Sequence, residues 1–171
     1  ENFSDFERDV FEEIQDDARA AVNRHAKVLI RASDISSIVV GKAEENARAA
    51  GLSDLLEDGR LSFTQCDARK ITAPAASGLV IANPPYGEQS NPKSASVASM
   101  MKDVSDNLKH NFSGWTAWLL TSDRALPRQM RLSESRKVPL FNGPLECRFF
   151  KFDMVRGSFR SKEAAEPAKA E

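Results

Sequence analysis

Short apolar runs alternate with segments of helical periodicity along this chain, and that alternation narrows its folds more than any other feature. Val28-Leu29-Ile30, Leu61-Ser62-Phe63-Thr64, Gly78-Leu79-Val80-Ile81-Ala82 and Trp115 to Leu120 are too short for helices and read as strands. The first is expected to end at Ser33-Asp34. Between them, apolar residues recur at three- and four-residue steps. Phe3, Phe6, Val10, Phe11, Ile14, Ala18 and Ala21 predict a first helix, with Ser4 and Glu7 spaced as a capping box. A second helix is expected over Ser37 to Ala50, closed by Gly51, and Val97, Met101, Val104 and Leu108 mark a third. Val138 to Phe141 and Glu146 to Phe152 read as a hairpin joined through Asn142-Gly143-Pro144. Strands alternating with helices predict an α/β domain: a mostly parallel sheet, helices on both faces, and a terminal hairpin contributing one antiparallel strand.

At 171 residues the chain has room for one core, and 41% hydrophobic with 29% charged residues excludes wholesale disorder. No apolar run is long enough to span a membrane and no signal-peptide pattern opens the chain, so a cytoplasmic protein without a membrane partner is expected. Cys66 and Cys147 with His25 and His110 supply neither a disulfide framework nor a zinc-ligand pattern, and no metal is expected. The chain opens Glu1-Asn2-Phe3 without an initiator methionine, which suggests part of something longer.

The net charge of −1 conceals an asymmetry. Residues 1–85 hold 10 Lys/Arg against 15 Asp/Glu, whereas residues 86–160 hold 12 against 7. A basic second half suits a polyanion such as RNA, although scattered solvated cations would give the same count.

Ligands of parallel sheets bind beyond the carboxyl ends of the strands. Three polar residues fall there: Asp34, Asp67 and Asn83. Asn83-Pro84-Pro85-Tyr86 is the most specific of the signals. Two prolines fix φ and remove two N–H donors, so nearby carbonyls stay available as acceptors. The Asn83 side-chain oxygen and the Pro84 carbonyl would form a stiff ledge for an exocyclic amino group, and Tyr86 offers a ring for a planar base. The competing reading is a tight Pro-Pro turn that ends a strand. Asp34 could accept from the hydroxyls of a ribose or cap the helix near Ser36. Asp67 could accept from an adenine amino group or close an Asx-turn.

In order and context, Asp34, Asp67 and Asn83-Pro84-Pro85-Tyr86 resemble the class I S-adenosylmethionine-dependent methyltransferases that modify amino groups, whose fold is Rossmann-like. The likeness is closer to the bacterial large-subunit rRNA guanine-N2 methyltransferases of the RlmL type. It rests on Asn46-Ala47-Arg48-Ala49-Ala50-Gly51-Leu52, Asn83-Pro84-Pro85-Tyr86-Gly87-Glu88, Phe112-Ser113-Gly114-Trp115 and Phe141-Asn142-Gly143-Pro144-Leu145-Glu146-Cys147-Arg148. The resemblance implies that Asp34 and Ile35 hold the cofactor ribose. It implies that Asp67 and Ala68 address the adenine of S-adenosylmethionine. Asn83, beside the cofactor, would bind the target guanine amino group with Pro84 and Pro85, and Tyr86 would stack on a flipped base of 23S rRNA.

The family also carries an upstream strand with a glycine-rich loop, and a THUMP domain before it. None of the eight glycines here, the first being Gly41, forms such a loop. Residues 1–154 are therefore expected to be a catalytic domain lacking its first strand and glycine-rich loop, with weak cofactor binding alone, and 155–171 a disordered tail. Two other readings stay open. One is an adenine-N6 methyltransferase acting on DNA or RNA, since the ledge does not choose the base. The other is a non-catalytic RNA-binding module of the same fold.

Overall fold

The structure, a computed structural model, describes residues 4–23, 26–85 and 94–155, with side chains from Val97 onward in the last stretch. Tyr86, Gly87, Glu88 and nearly all of the expected tail lie outside the described residues. In chain order the elements are α1 (Arg8–Ala20), β1 (Ile30–Asp34), α2 (Ser37–Ala49), α3 (Ser53–Glu57), β2 (Leu61–Gln65) and β3 (Leu79–Ala82). They continue with α4 (Ser94–Asn111), β4 (Thr116–Thr121), α5 (Leu126–Met130), β5 (Arg136–Asn142) and β6 (Leu145–Asp153). Among the described residues no helix is long and apolar enough to cross a membrane.

The α/β alternation is present, with the strands in two sheets. β1 pairs with β2 in parallel, Ile30 opposite Leu61 and Asp34 opposite Gln65. The second sheet runs β3-β4-β6-β5. β3 and β4 are parallel, while β6 runs antiparallel to both of its neighbours, so β6 is the one reversed strand. Among the described residues the edge strands are β1 and β2 in the first sheet and β3 and β5 in the second, each with one unpaired edge.

The main core lies on one face of the larger sheet. The register sets Ala117 opposite Phe152 and Leu119 opposite Phe150, all four buried. Met101, Val104 and Leu108 of α4 and Leu126 and Met130 of α5 cover that face, so the three- and four-residue spacing on α4 is its buried stripe. Trp115 fastens the incoming loop: its indole N–H donates to the Ala75 carbonyl at 2.9 Å. Gly78 is required beneath it, because a Cβ there would stand 2.6 Å from the ring.

α2 ends as its sequence demands. Gly51 takes φ +76°, its N–H bonds to the Arg48 carbonyl, and the Leu52 N–H reaches back to Ala47, completing a Schellman motif. At the other end Ser36, not Asp34, is the N-cap, accepting from the Val39 N–H.

Three local expectations need correcting. The first helix begins at Arg8 rather than Phe3, with Glu7 as an N-cap that makes no side-chain bond. Ser4 lies in a turn three residues before that N-cap, so the capping box does not form. Val28 and Leu29 precede β1, since pairing starts only at Ile30 opposite Leu61. α3 and α5, five residues each, carry too little periodicity to be legible.

Candidate cofactor and base site

Asp34 and Asp67 stand at the ends of neighbouring parallel strands, and a backbone bond from the Cys66 N–H to the Asp34 carbonyl at 2.9 Å ties the ends together. The Asp34 carboxylate is half-buried. Its Oδ1 accepts the Ser36 N–H at 2.8 Å, and among the described residues no donor meets Oδ2. A fixed carboxylate with one oxygen available suits a pair of ribose hydroxyls. Ile35 beside it is 65% exposed, and its carbonyl accepts from the Gln65 side chain at 3.1 Å. That bond pins the chain where it leaves β1.

Asp67 closes an Asx-turn, with the Arg69 N–H donating to Oδ1 at 2.9 Å. The Arg69 guanidinium adds contacts to both oxygens, the shortest from Nη2 to Oδ2 at 2.5 Å. These bonds, side chain first and backbone second, pull the Asp67 carboxyl down to about 2, and the arginine is held charged in return. The turn reading is thus correct in geometry. It is compatible with a ligand role, since an ionised carboxylate has about four acceptor positions.

The loop leaving this turn is held by α4, an anchor the sequence reading missed. Asn107 Nδ2 donates to the Ala68 carbonyl at 3.1 Å and the Ile71 carbonyl at 2.9 Å. Its Oδ1 accepts from Asn111 at 2.6 Å. The available signal was an asparagine within the apolar stripe of an amphipathic helix, a position that needs partners once buried.

Asn83 follows the last residue of β3, exposed, with Pro84 half-buried and Pro85 exposed behind it. It lies in the second sheet, and β1 and β3 are not hydrogen-bonded neighbours. The structure therefore brings Asp34, Ile35, Asp67 and Ala68 together and leaves Asn83, Pro84 and Pro85 on a separate strand end. Among the described residues no group of His, Cys, Asp and Glu could hold a metal ion, and both cysteines are free thiols.

On the same rim as Asn83, the β5–β6 hairpin runs past the end of β4, because Thr121 pairs with Arg148 and β6 begins three residues earlier. Gly143, at φ +58°, and Pro144 form the turn, the residue order of a II′ hairpin.

Comparison with known proteins agrees with this architecture. The ribosomal RNA large subunit methyltransferase K/L of Shewanella baltica (strain OS185) is 33% identical over 163 residues, 94% of this chain and 22% of that protein's length. The chain thus spans less than a quarter of the curated relative it matches. The crystal structure of SMU.472 complexed with SAH superposes with a TM-score of 0.75 at 21% identity, over 91% of this chain and 39% of that one. A possible methylase from Clostridium difficile 630 gives 0.73 at 25% identity, over 91% and 40%. These likenesses show a shared methyltransferase-type α/β fold. The family model for the RMKL-like methyltransferase domain matches residues 2–151, spanning both strand-end clusters and the tip of the hairpin. The chain belongs to the RMKL-like methyltransferase domain family.

Proposed function

We propose that this chain is the larger part of a catalytic domain that methylates an exocyclic amino group of an RNA base, with guanine N2 of 23S rRNA as the target and S-adenosylmethionine as the donor. The observation that carries the reading is the placement of acceptors at strand ends: Asp34 and Asp67 on one parallel pair and Asn83 before two prolines on the next. The residues fit an adenosine-containing cofactor. Asp34 keeps Oδ2 for ribose hydroxyls, with Ile35 alongside, and Asp67 with Ala68 forms a rigid turn bearing an ionised acceptor.

The cofactor supplies an electrophilic methyl group on a sulfonium centre. This chain's residues orient the nucleophile. The Asn83 side-chain oxygen and the Pro84 carbonyl accept the two amino hydrogens. That favours the pyramidal form in which the nitrogen lone pair is no longer spread into the ring. Pro85 keeps the ledge stiff, and Tyr86 stacks on the extruded base. Orientation and exclusion of water supply the rate enhancement, with no covalent enzyme intermediate.

We also place a strand and glycine-rich loop from an upstream segment, together with a THUMP domain, in the complete protein. The support is the pair of unpaired edges on β1 and β3, with Ile30, Leu79 and Ile81 46%, 63% and 69% exposed. An rRNA substrate implies a cytoplasmic location.

The test uses the full-length protein, rRNA transcripts and labelled donor. Asn83→Ala is expected to lower kcat by about 10²-fold while the Kd for S-adenosylmethionine stays nearly unchanged. Equal loss of both would make Asn83 a scaffold residue and remove the ledge from the mechanism.

A further inference from the structure

The hairpin phrase Phe141 to Arg148 carries part of the likeness to the RlmL-type family, yet nothing in the proposed methyl transfer uses it. Phe141 is 73% exposed at the hairpin tip, an unusual position for a phenylalanine with nothing above it among the described residues. It pairs across the strands with Glu146, so the two side chains share a face. Glu146 spends one oxygen on the Arg148 guanidinium and the other on that of Arg124, each at 2.7 Å. The carboxylate that shares a strand face with Phe141 thereby holds two arginines. Arg148 is largely buried, at 19% exposure, whereas Arg124 is 68% exposed and keeps N–H groups for an outside acceptor.

Position favours a nucleic acid. Because β3 is parallel to β4 and β6 antiparallel to it, the tip leaves the sheet at the same end as Asn83. Sheet spacing puts Phe141 about 14 Å across and about 10 Å beyond the Asn83 ledge, a span of a few nucleotides. Residues 121–153 hold seven Lys/Arg against four Asp/Glu. An aromatic platform flanked by a fixed guanidinium is the pairing that binds single-stranded nucleic acid without reading its sequence.

We propose that the β5–β6 tip is a second RNA contact, resting on the function proposed above. Phe141 stacks on an unpaired base flanking the target nucleotide, Arg124 engages the adjoining phosphate, and Glu146 with Arg148 positions Arg124. The test uses the full-length protein and a single-stranded rRNA fragment containing the target, with RNA affinity and methylation measured separately. Phe141→Ala is expected to raise the RNA Kd and KM by about tenfold, with kcat and S-adenosylmethionine affinity unchanged, and Phe141→Tyr to restore binding. Arg124→Ala is expected to weaken binding and lower the salt slope by about one. Unchanged RNA affinity in Phe141→Ala overturns the contact. So does a fall in thermal stability without a change in RNA affinity, which would mean that another part of the protein covers the ring. Direct RNA binding separates this outcome from failure of the catalytic reading. If Asn83→Ala abolishes transfer while Phe141→Ala binds RNA normally, only the tip proposal falls.

Discussion

Asp67 is a carboxylate held by a single arginine two residues along, through both the backbone N–H and the guanidinium. Its pKa of about 2, against an ordinary 3.8, follows first from the Arg69 side-chain bonds and then from the backbone N–H. The shift is downward on folding, so the contribution to stability is full above the unfolded value and fades as pH falls through about 2. An NMR titration of the Asp67 carboxyl is expected to show that low midpoint, and Arg69→Ala to move it toward 3.8. The stability gap between the wild type and Asp67→Asn is expected to close in the same acid range. A midpoint that ignores Arg69→Ala would show that the turn, not the arginine, sets the charge. The turn was legible in the sequence, because an Asp at the end of an apolar run is an Asx-turn signal. Its arginine partner was not, since a surface cation two residues away has many other orientations open to it.

Among the elements, α4 does two jobs. Its apolar stripe covers β4 and β6, and Asn107 on the same helix grips the loop that carries Ala68 and Ile71. Asn107 is 8% exposed, so removing its amide leaves two carbonyls short of a donor. Asn107→Ala is expected to cost about 1–3 kcal/mol in chemical denaturation of the full-length protein and to weaken S-adenosylmethionine binding as the Asp67–Ala68 turn loosens. Unchanged cofactor affinity at reduced stability would confine the anchor to folding. The longer elements were readable because burial imposes period on sequence: β2 matches its apolar run, and α2 ends at the glycine that only a left-handed position requires. α5 was not readable. It spans one turn, opens at Leu126-Pro127 and stops at Arg131 with φ +51°, a conformation nothing in the residue's identity announces. The Arg124–Glu146–Arg148 bridge was equally hidden, because it joins positions 22 residues apart that only the fold brings together.

At the scale of the molecule, the two sheets face the same problem. β1 bonds to β2 on one side only, and β3 to β4 on one side only. The Ile30 N–H bonds toward β2 and the Gly78 carbonyl toward β4. Backbone groups alternate along a strand, so those of Arg31 and Ser33 on β1 and Leu79 and Ile81 on β3 point to the open edges. A further parallel strand between them would satisfy both rows and cover exposed apolar surface. α1 shows the same need, since it buries none of its residues and leaves Val10, Phe11 and Ile14 45%, 45% and 63% exposed. The proposed upstream strand therefore predicts a pattern of amide protection. In the full-length protein, Arg31, Ser33, Leu79 and Ile81 should exchange with deuterium as slowly as the core of β4. In residues 1–171 alone they should exchange quickly, while Trp118 and Phe150, paired within the larger sheet, stay protected. S-adenosylmethionine affinity should rise in step with that protection, because the same segment would bring the glycine-rich loop against Asp34. Fast exchange at all four positions in the full-length protein would mean that no strand occupies the gap. The two sheets would then have to bind cofactor and base as separate units, a geometry in which Asp34 and Asn83 could not serve one transfer.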